Sequence, residues 1–168
     1  MLTIDGGADL SENFDVLTSP QTADERTGDG ESESRSLFGQ VPAVEPGTVV
    51  VIDTDNPGKL RVSTRAYDAT VAGIVSGAGG VGTGMIMAHE GTLADGAHPI
   101  ALTGRVYCKA DASKDAIKPG DLLTTSDMPG HAMKVAERDR AHGAVLGKAM
   151  TPLAQDEQGL VLVLVNLQ

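Results

Sequence analysis

The chain has 168 residues, 40% of them apolar and 2% aromatic, with no Trp and a formal net charge of −10. That length is one domain, or one domain with an extension. The charge is uneven: residues 1–45 carry ten acids against Arg26 and Arg35, a net of −8, whereas residues 46–168 carry thirteen acids and eleven bases, so no basic cluster marks a nucleic-acid partner.

In chain order, Met1 to Ile4 reads as a short apolar strand, followed by Gly6-Gly7-Ala8-Asp9-Leu10, and Ser11–Phe14 as a helical turn or bend. The start lacks the basic and long apolar regions of a signal peptide, so no secretory leader is expected. Residues 17–36 are almost all Ser, Thr, Asp, Glu and Gly. Such a composition offers too little apolar area to offset ordering entropy, which predicts a solvated linker. The division is therefore an acidic arm over 1–40 and a β-rich body over 41–168.

The body is predicted to be all strand and turn. Thr48 to Ile52 is β-branched and apolar, and Asp53–Gly58 is a turn. Leu60, Val62 and Thr64 alternate with polar neighbours. Val71–Val75 is a short apolar strand ended by the glycine-rich Gly77–Gly84. Met85–Ala88, Pro99–Val106 and Gly104–Ala110 follow as strands, with a turn over residues 92–96. Asp111–Ala116 and Ala136–Arg140 each have room for one helical turn, and Gly159–Leu167 closes the chain as an apolar strand. Strands 49–52, 71–75 and 160–167 show little polar alternation and are expected to be covered on both faces, with a partner subunit able to supply part of the second cover. No apolar run reaches the roughly 18–20 residues of a membrane helix.

The body also repeats itself. Pro46-Gly47, an apolar strand, Asp53, Pro57-Gly58, an alternating strand and a glycine-bounded strand recur as Pro119-Gly120, Leu122–Thr125, Ser126-Asp127, Pro129-Gly130, Ala132–Val135 and Gly143–Gly147. The shift is 73 residues at the first Pro-Gly, 72 at the second and 70 at the glycines. An internally duplicated β-sandwich or barrel-like module is the expected fold.

Candidate sites are few. Gly77–Gly84 has the glycines of a phosphate cradle but neither the Lys of a P-loop nor a following helix, so a flexible loop, or close backbone approach at a symmetry axis, is the better reading. His89, His98, His131 and His142 lack metal-ligand spacing; His89-Glu90 is the one local pair. Ser126, Asp127 and His131 lie close in sequence, but Asp127 corresponds to Asp53 or Asp55 in the other copy, and an acid at both Pro-Gly turns points to turn capping before catalysis. Asp9, Glu12 and Asp15 read as a solvated acidic stretch before a cation site. Cys108 is single, which excludes an intrachain disulfide; its place in a strand predicts a small buried thiol. No catalytic, cofactor-binding or metal residue is assigned, and no cofactor is expected.

Together, Val71–Gly77, Pro99–Val106, Ile117–Ser126, Pro129–Val135 and Gly143–Ala149 resemble the C-terminal β module of phage appendage and tail-fibre proteins. A bacterial fibre-like family shares this layout after Gly-Gly-Ala-Asp-Leu, here Gly6–Leu10, and phage head-decoration proteins are similar more loosely. The resemblance implies a non-enzymatic, homotrimeric structural module of a virion or phage-like particle, whose N-terminal arm contacts other particle components. Some appendage relatives cleave themselves and act as intramolecular chaperones. The last strand ends at the chain terminus, so a released downstream segment is not expected. A receptor- or glycan-binding tip is a further alternative, although sugar sites favour aromatics and this chain has only Phe14, Phe38, Tyr67 and Tyr107.

Overall fold

Eleven strands and two single 3-10 turns make up the secondary structure in the computed structural model, which describes residues 8–18, 43–87, 91 and 95–168. The strand expected over residues 1–4, most of the 17–36 linker, and the pair His89-Glu90 lie outside the described residues. Among those described the fold is all-β. The strands are β1 (Ala8–Phe14), β2 (Val16–Leu17), β3 (Val49–Ile52), β4 (Leu60–Val62), β5 (Val71–Val75), β6 (Met85–Met87), β7 (His98–Asp111), β8 (Leu122–Thr125), β9 (Ala132–Lys134), β10 (Val145–Ala149) and β11 (Gln158–Asn166).

The strands form two five-membered barrels that share β7. The C-terminal barrel closes as β7–β11–β10–β8–β9 and back to β7 through the parallel pair Ala110↔Ala132. In the N-terminal barrel β1 and β2, separated only by Asp15, act as one strand: β7 pairs β5, then β3, β4 and β2, and β1 returns to β7. The first half of β7 is thus the last strand of one barrel and its second half the first strand of the next. Gly104 marks the handover, where a Cβ would lie 2.4 Å from the carbonyl oxygen of Ala8.

The internal repeat is borne out pair by pair. Val50↔Val62, Val51↔Arg61 and Ile52↔Leu60 recur as Leu123↔Lys134, Thr124↔Met133 and Thr125↔Ala132. Val49↔Ile74, Val50↔Gly73 and Val51↔Val71 recur as Leu122↔Lys148, Leu123↔Gly147 and Thr124↔Val145. Both sets skip one residue, Ala72 and Leu146, as a β-bulge that sharpens the bend needed for closure. The third strand therefore aligns Gly73 with Gly147, a shift of 74 in place of the 70 read from sequence, because the bulge glycine and the flanking Gly77 and Gly143 look alike in one dimension. The copy is also longer than the sequence suggested: Asn13↔Pro99, Glu12↔Ile100 and Val16↔Leu60 recur as Tyr107↔Leu162, Val106↔Val163 and Ala110↔Ala132.

Each barrel has its own core built from equivalent positions. Val50, Leu60, Val75 and Ile100, with Phe14, Val16, Ala72 and Leu102 against them, fill the first. Leu123, Ala132, Ala149, Val163, Cys108, Ala110, Leu146 and Val165 fill the second. Where the first barrel has Phe14 and Leu60, the second has Cys108 and Ala132, and its Ala72 becomes Leu146, so volume is redistributed within one packing scheme. Burying each large side chain contributes about 1.5–3 kcal/mol. Outward-facing Val49, Ile74 and Ala101 of the first barrel are buried in the same cluster as the second barrel's core, which joins the two.

The structure refines several local expectations. Ser11–Phe14 is strand, not a helical turn, and Ala8–Leu17, placed in the arm by the boundary at residue 40, is hydrogen-bonded into the first barrel. Within the chain β11 is covered on one face: Val161, Val163 and Val165 are buried, whereas Leu160 and Leu164 are 43% and 44% exposed. Of the two helical turns expected, Arg138–Arg140 is a 3-10 turn and residues 113–115 are a bend.

Candidate functional site

The turn between β8 and β9 holds Ser126, Asp127 and His131. Ser126 occupies the place of Asp53 in the first copy. Asp53 accepts the amide of Asp55 at 3.0 Å and Ser126 Oγ accepts the amide of Met128 at 3.0 Å, the same capping bond two residues on. Asp127 therefore matches Thr54, not Asp53 or Asp55. Ser126 is fully buried, and its hydroxyl is within 3.2 Å of the Asp111 carboxylate. His131 points elsewhere, its Nδ1 2.8 Å from the carbonyl of Pro129. Asp127 pairs with Lys114 at 2.9 Å, which holds its carboxyl below the usual range. The geometry is that of a capped turn, since serine and imidazole make no hydrogen bond to each other.

Between the barrels lies a recess of about 90 Å³. Its organising residue is Tyr67, on the link between β4 and β5. The Tyr67 hydroxyl accepts the amides of Ala136 and Glu137 at 3.0 and 2.9 Å, and the Arg140 guanidinium sits 4.4 Å from its ring centre. Its backbone amide donates to Thr125 at 3.2 Å, and the next amide, Asp68, donates to Thr125 Oγ1 at 2.8 Å. Tyr67 holds this position at φ 57, a left-handed conformation that a non-glycine residue adopts at a cost. Cations in and around the recess are matched by acids: Lys114 by Asp127, Lys134 by Asp121 and Arg140 by Glu137. The recess thus fastens one barrel to the other. Sequence reasoning missed it because Tyr67 stands alone in a loop, and the only available signal was a large aromatic in a chain nearly without them.

The remaining candidates are dispersed. Asp9 is buried on β1, where it accepts Ser11 Oγ at 2.5 Å and the amide of Gly84 at 2.9 Å. Asp15 instead pairs with Lys59, whose hydrogen bond lowers its pKa. Asp9, Glu12 and Asp15 are neither a solvated stretch nor one cluster. The glycine loop packs tightly: a Cβ on Gly79 would lie 2.5 Å from the Tyr107 ring, so glycine lets the backbone lie on the aromatic face. Cys108 is fully buried, and burial pushes its thiol up to about 12. Among the described residues no three His, Cys, Asp or Glu side chains converge as metal ligands, and no helix is long and apolar enough to cross a membrane.

The outer wall of the second barrel carries an exposed apolar stripe. Leu160, Leu162 and Leu164 run down β11, flanked across the ladder by Lys109, Tyr107 and Arg105 on β7 and by Lys148 on β10. Met150, 41% exposed, lies beyond, its amide bonded to the carbonyl of Leu162. Compared with known proteins, the chain matches no protein-family model and no curated protein sequence.

Proposed function

We propose that this chain is a non-enzymatic structural protein of a phage or phage-tail-like particle, a fibre, appendage or decoration module that acts by homotrimeric assembly. The observation that supports this most is the leucine stripe of β11. A strand whose inner face is a finished core carries three outward leucines between cations, the pattern of an interface. The second support comes from the turn: Ser126 caps it as Asp53 caps the matching turn of the first copy. The acidic N-terminal residues suit contact with a neighbouring particle component.

Multi-angle light scattering at micromolar concentration tests the assembly, with the mass of three chains expected. A monomer at all concentrations refutes it. Sheath, baseplate or capsid genes beside the gene are expected for the particle assignment, and a metabolic operon there would overturn it.

A further inference from the structure

The duplication leaves one half of a joint unused. Within the chain, the Pro129-Gly130 turn of the second barrel inserts into the first: the Gly130 amide donates to the Ser63 carbonyl at 2.8 Å, and the Gly130 carbonyl accepts the Val49 amide at 2.9 Å. Gly130 fits because a Cβ would lie 2.9 Å from Thr48 Cγ2. The equivalents of Val49 and Ser63 are Leu122 and Val135. Val135 donates to the Leu122 carbonyl at 2.8 Å, as Ser63 does to Val49 at 3.0 Å. Among the described residues, however, the bonds that Gly130 makes to the Val49 amide and the Ser63 carbonyl have no counterpart at the Leu122 amide and the Val135 carbonyl. The second barrel therefore presents an empty copy of the slot that Gly130 fills in the first.

A matching key is also present. Pro57-Gly58 is the first barrel's counterpart of Pro129-Gly130, and Gly58 at φ 80 has nearly the conformation of Gly130 at φ 71. Both Pro57 and Gly58 are exposed. Beside them Ile52, 49% exposed, takes the place of Thr125, which lies at the joint within the chain. Around the empty slot, Leu122, Lys148 and Leu164 stand where the first barrel buries Val49, Ile74 and Ala101. Lys148 is cationic, and the key carries the exposed Asp55.

We infer that a second copy of this chain docks its Pro57-Gly58 turn between Leu122 and Val135, repeating between molecules the joint that links the two barrels within one. This rests on the homo-oligomer reading above and gives its contact. The contact is head-to-tail, because key and slot lie on different barrels, so it closes into a ring or extends as a filament. Three chains in a closed ring would place six barrels in succession. The slot walls differ from those inside the chain: an Asp121–Lys134 ion pair at 3.1 Å replaces Thr48 and Val62, which makes the joint between copies the more polar one.

The test uses two full-length variants at exposed positions, Ile52→Lys on the key side and Leu164→Lys on the slot side, in sedimentation velocity over micromolar concentrations. The parent chain is expected to assemble, and each variant alone to run as a monomer, with the association weakened at least about tenfold. An equimolar mixture is expected to give a two-chain complex and nothing larger, since one variant keeps its slot and the other its key. Hydrogen exchange at Leu122 should slow in the parent assembly and in the mixture, and not in either variant alone. A parent trimer that both variants still form overturns this contact and leaves the trimer reading standing. A parent monomer overturns both. Variants that lose assembly but are not rescued by mixing overturn the head-to-tail joint.

Discussion

Replacing Gly147 by Ala tests whether the bulge glycines are required by close packing. The added Cβ would lie 2.3 Å from the Leu164 carbonyl oxygen and 3.0 Å from Val165 Cα, both backbone atoms of β11. Restoring an ordinary contact moves β11 outward by roughly 1 Å at the centre of its pairing with β10. Overpacking of this kind costs about 1–3 kcal/mol, and one weakened ladder hydrogen bond adds about 1 kcal/mol. A loss of about 2–4 kcal/mol lowers the melting temperature of a chain this size by roughly 5–15 °C. Gly73→Ala should behave alike, since its Cβ would meet the Ala101 carbonyl oxygen at 2.6 Å. Gly120→Ala is the comparison: nothing lies within 4 Å of its Cβ, and only φ 91 disfavours alanine, a cost of about 1–2 kcal/mol. Thermal melts followed by far-ultraviolet circular dichroism read all three. A Gly147→Ala melt within error of the parent, or a larger loss for Gly120→Ala, would refute the packing argument.

Other expectations follow from the buried groups. Cys108, fully buried with its thiol raised to about 12, should resist an aromatic disulfide reagent at pH 8 and react in full once the chain is unfolded; rapid labelling of native protein would contradict the core assignment. For Asp53 and Asp68, burial alone would raise the carboxyl pKa, but hydrogen bonds from Asn56 and Asp55, and from Thr70 and Arg65, outweigh it and leave both lowered. Their stabilisation is complete above the ordinary carboxylate pKa of about 3.9 and is lost as pH falls through the lower folded values. Urea midpoints should therefore be flat with respect to these groups above about pH 5 and drop below about pH 4, with the drop diminished in Asp68→Asn. Ser126→Ala removes the cap on Met128 and a partner of Asp111, and should cost about 1–2 kcal/mol while intact mass spectrometry shows full-length chain for parent and variant alike. A parent cleaved at a defined bond, with cleavage abolished in Ser126→Ala, would favour the self-cleaving alternative.

Much of this fold could be read from turns. Pro46-Gly47, Pro57-Gly58, Pro119-Gly120 and Pro129-Gly130 punctuate apolar runs, and β3, β4, β8 and β9 fall where those turns place them. β1 escaped notice because Asp9 and Ser11 are polar residues buried by satisfying each other and the Gly84 amide, so hydropathy carries no trace of their burial. The extent of the repeat was hidden for a related reason. The first barrel draws its opening strand from residues 8–17 and the rest from residue 49 onward, across a long intervening stretch, and equivalent core positions hold Phe14 against Cys108 and Leu60 against Ala132. Shape and register are kept while residue identity is not. The turn candidates were legible as capping residues, but the Tyr67 joint depends on contacts between residues about 70 apart in sequence, which local pattern cannot report.

Because β7 serves as a wall of both barrels, no single cut yields two whole halves: dividing the chain at Gly104 deprives each side of pairing across the shared strand. Melting should consequently propagate from either half into its neighbour as one transition, and a chain built this way resists being peeled apart piecemeal.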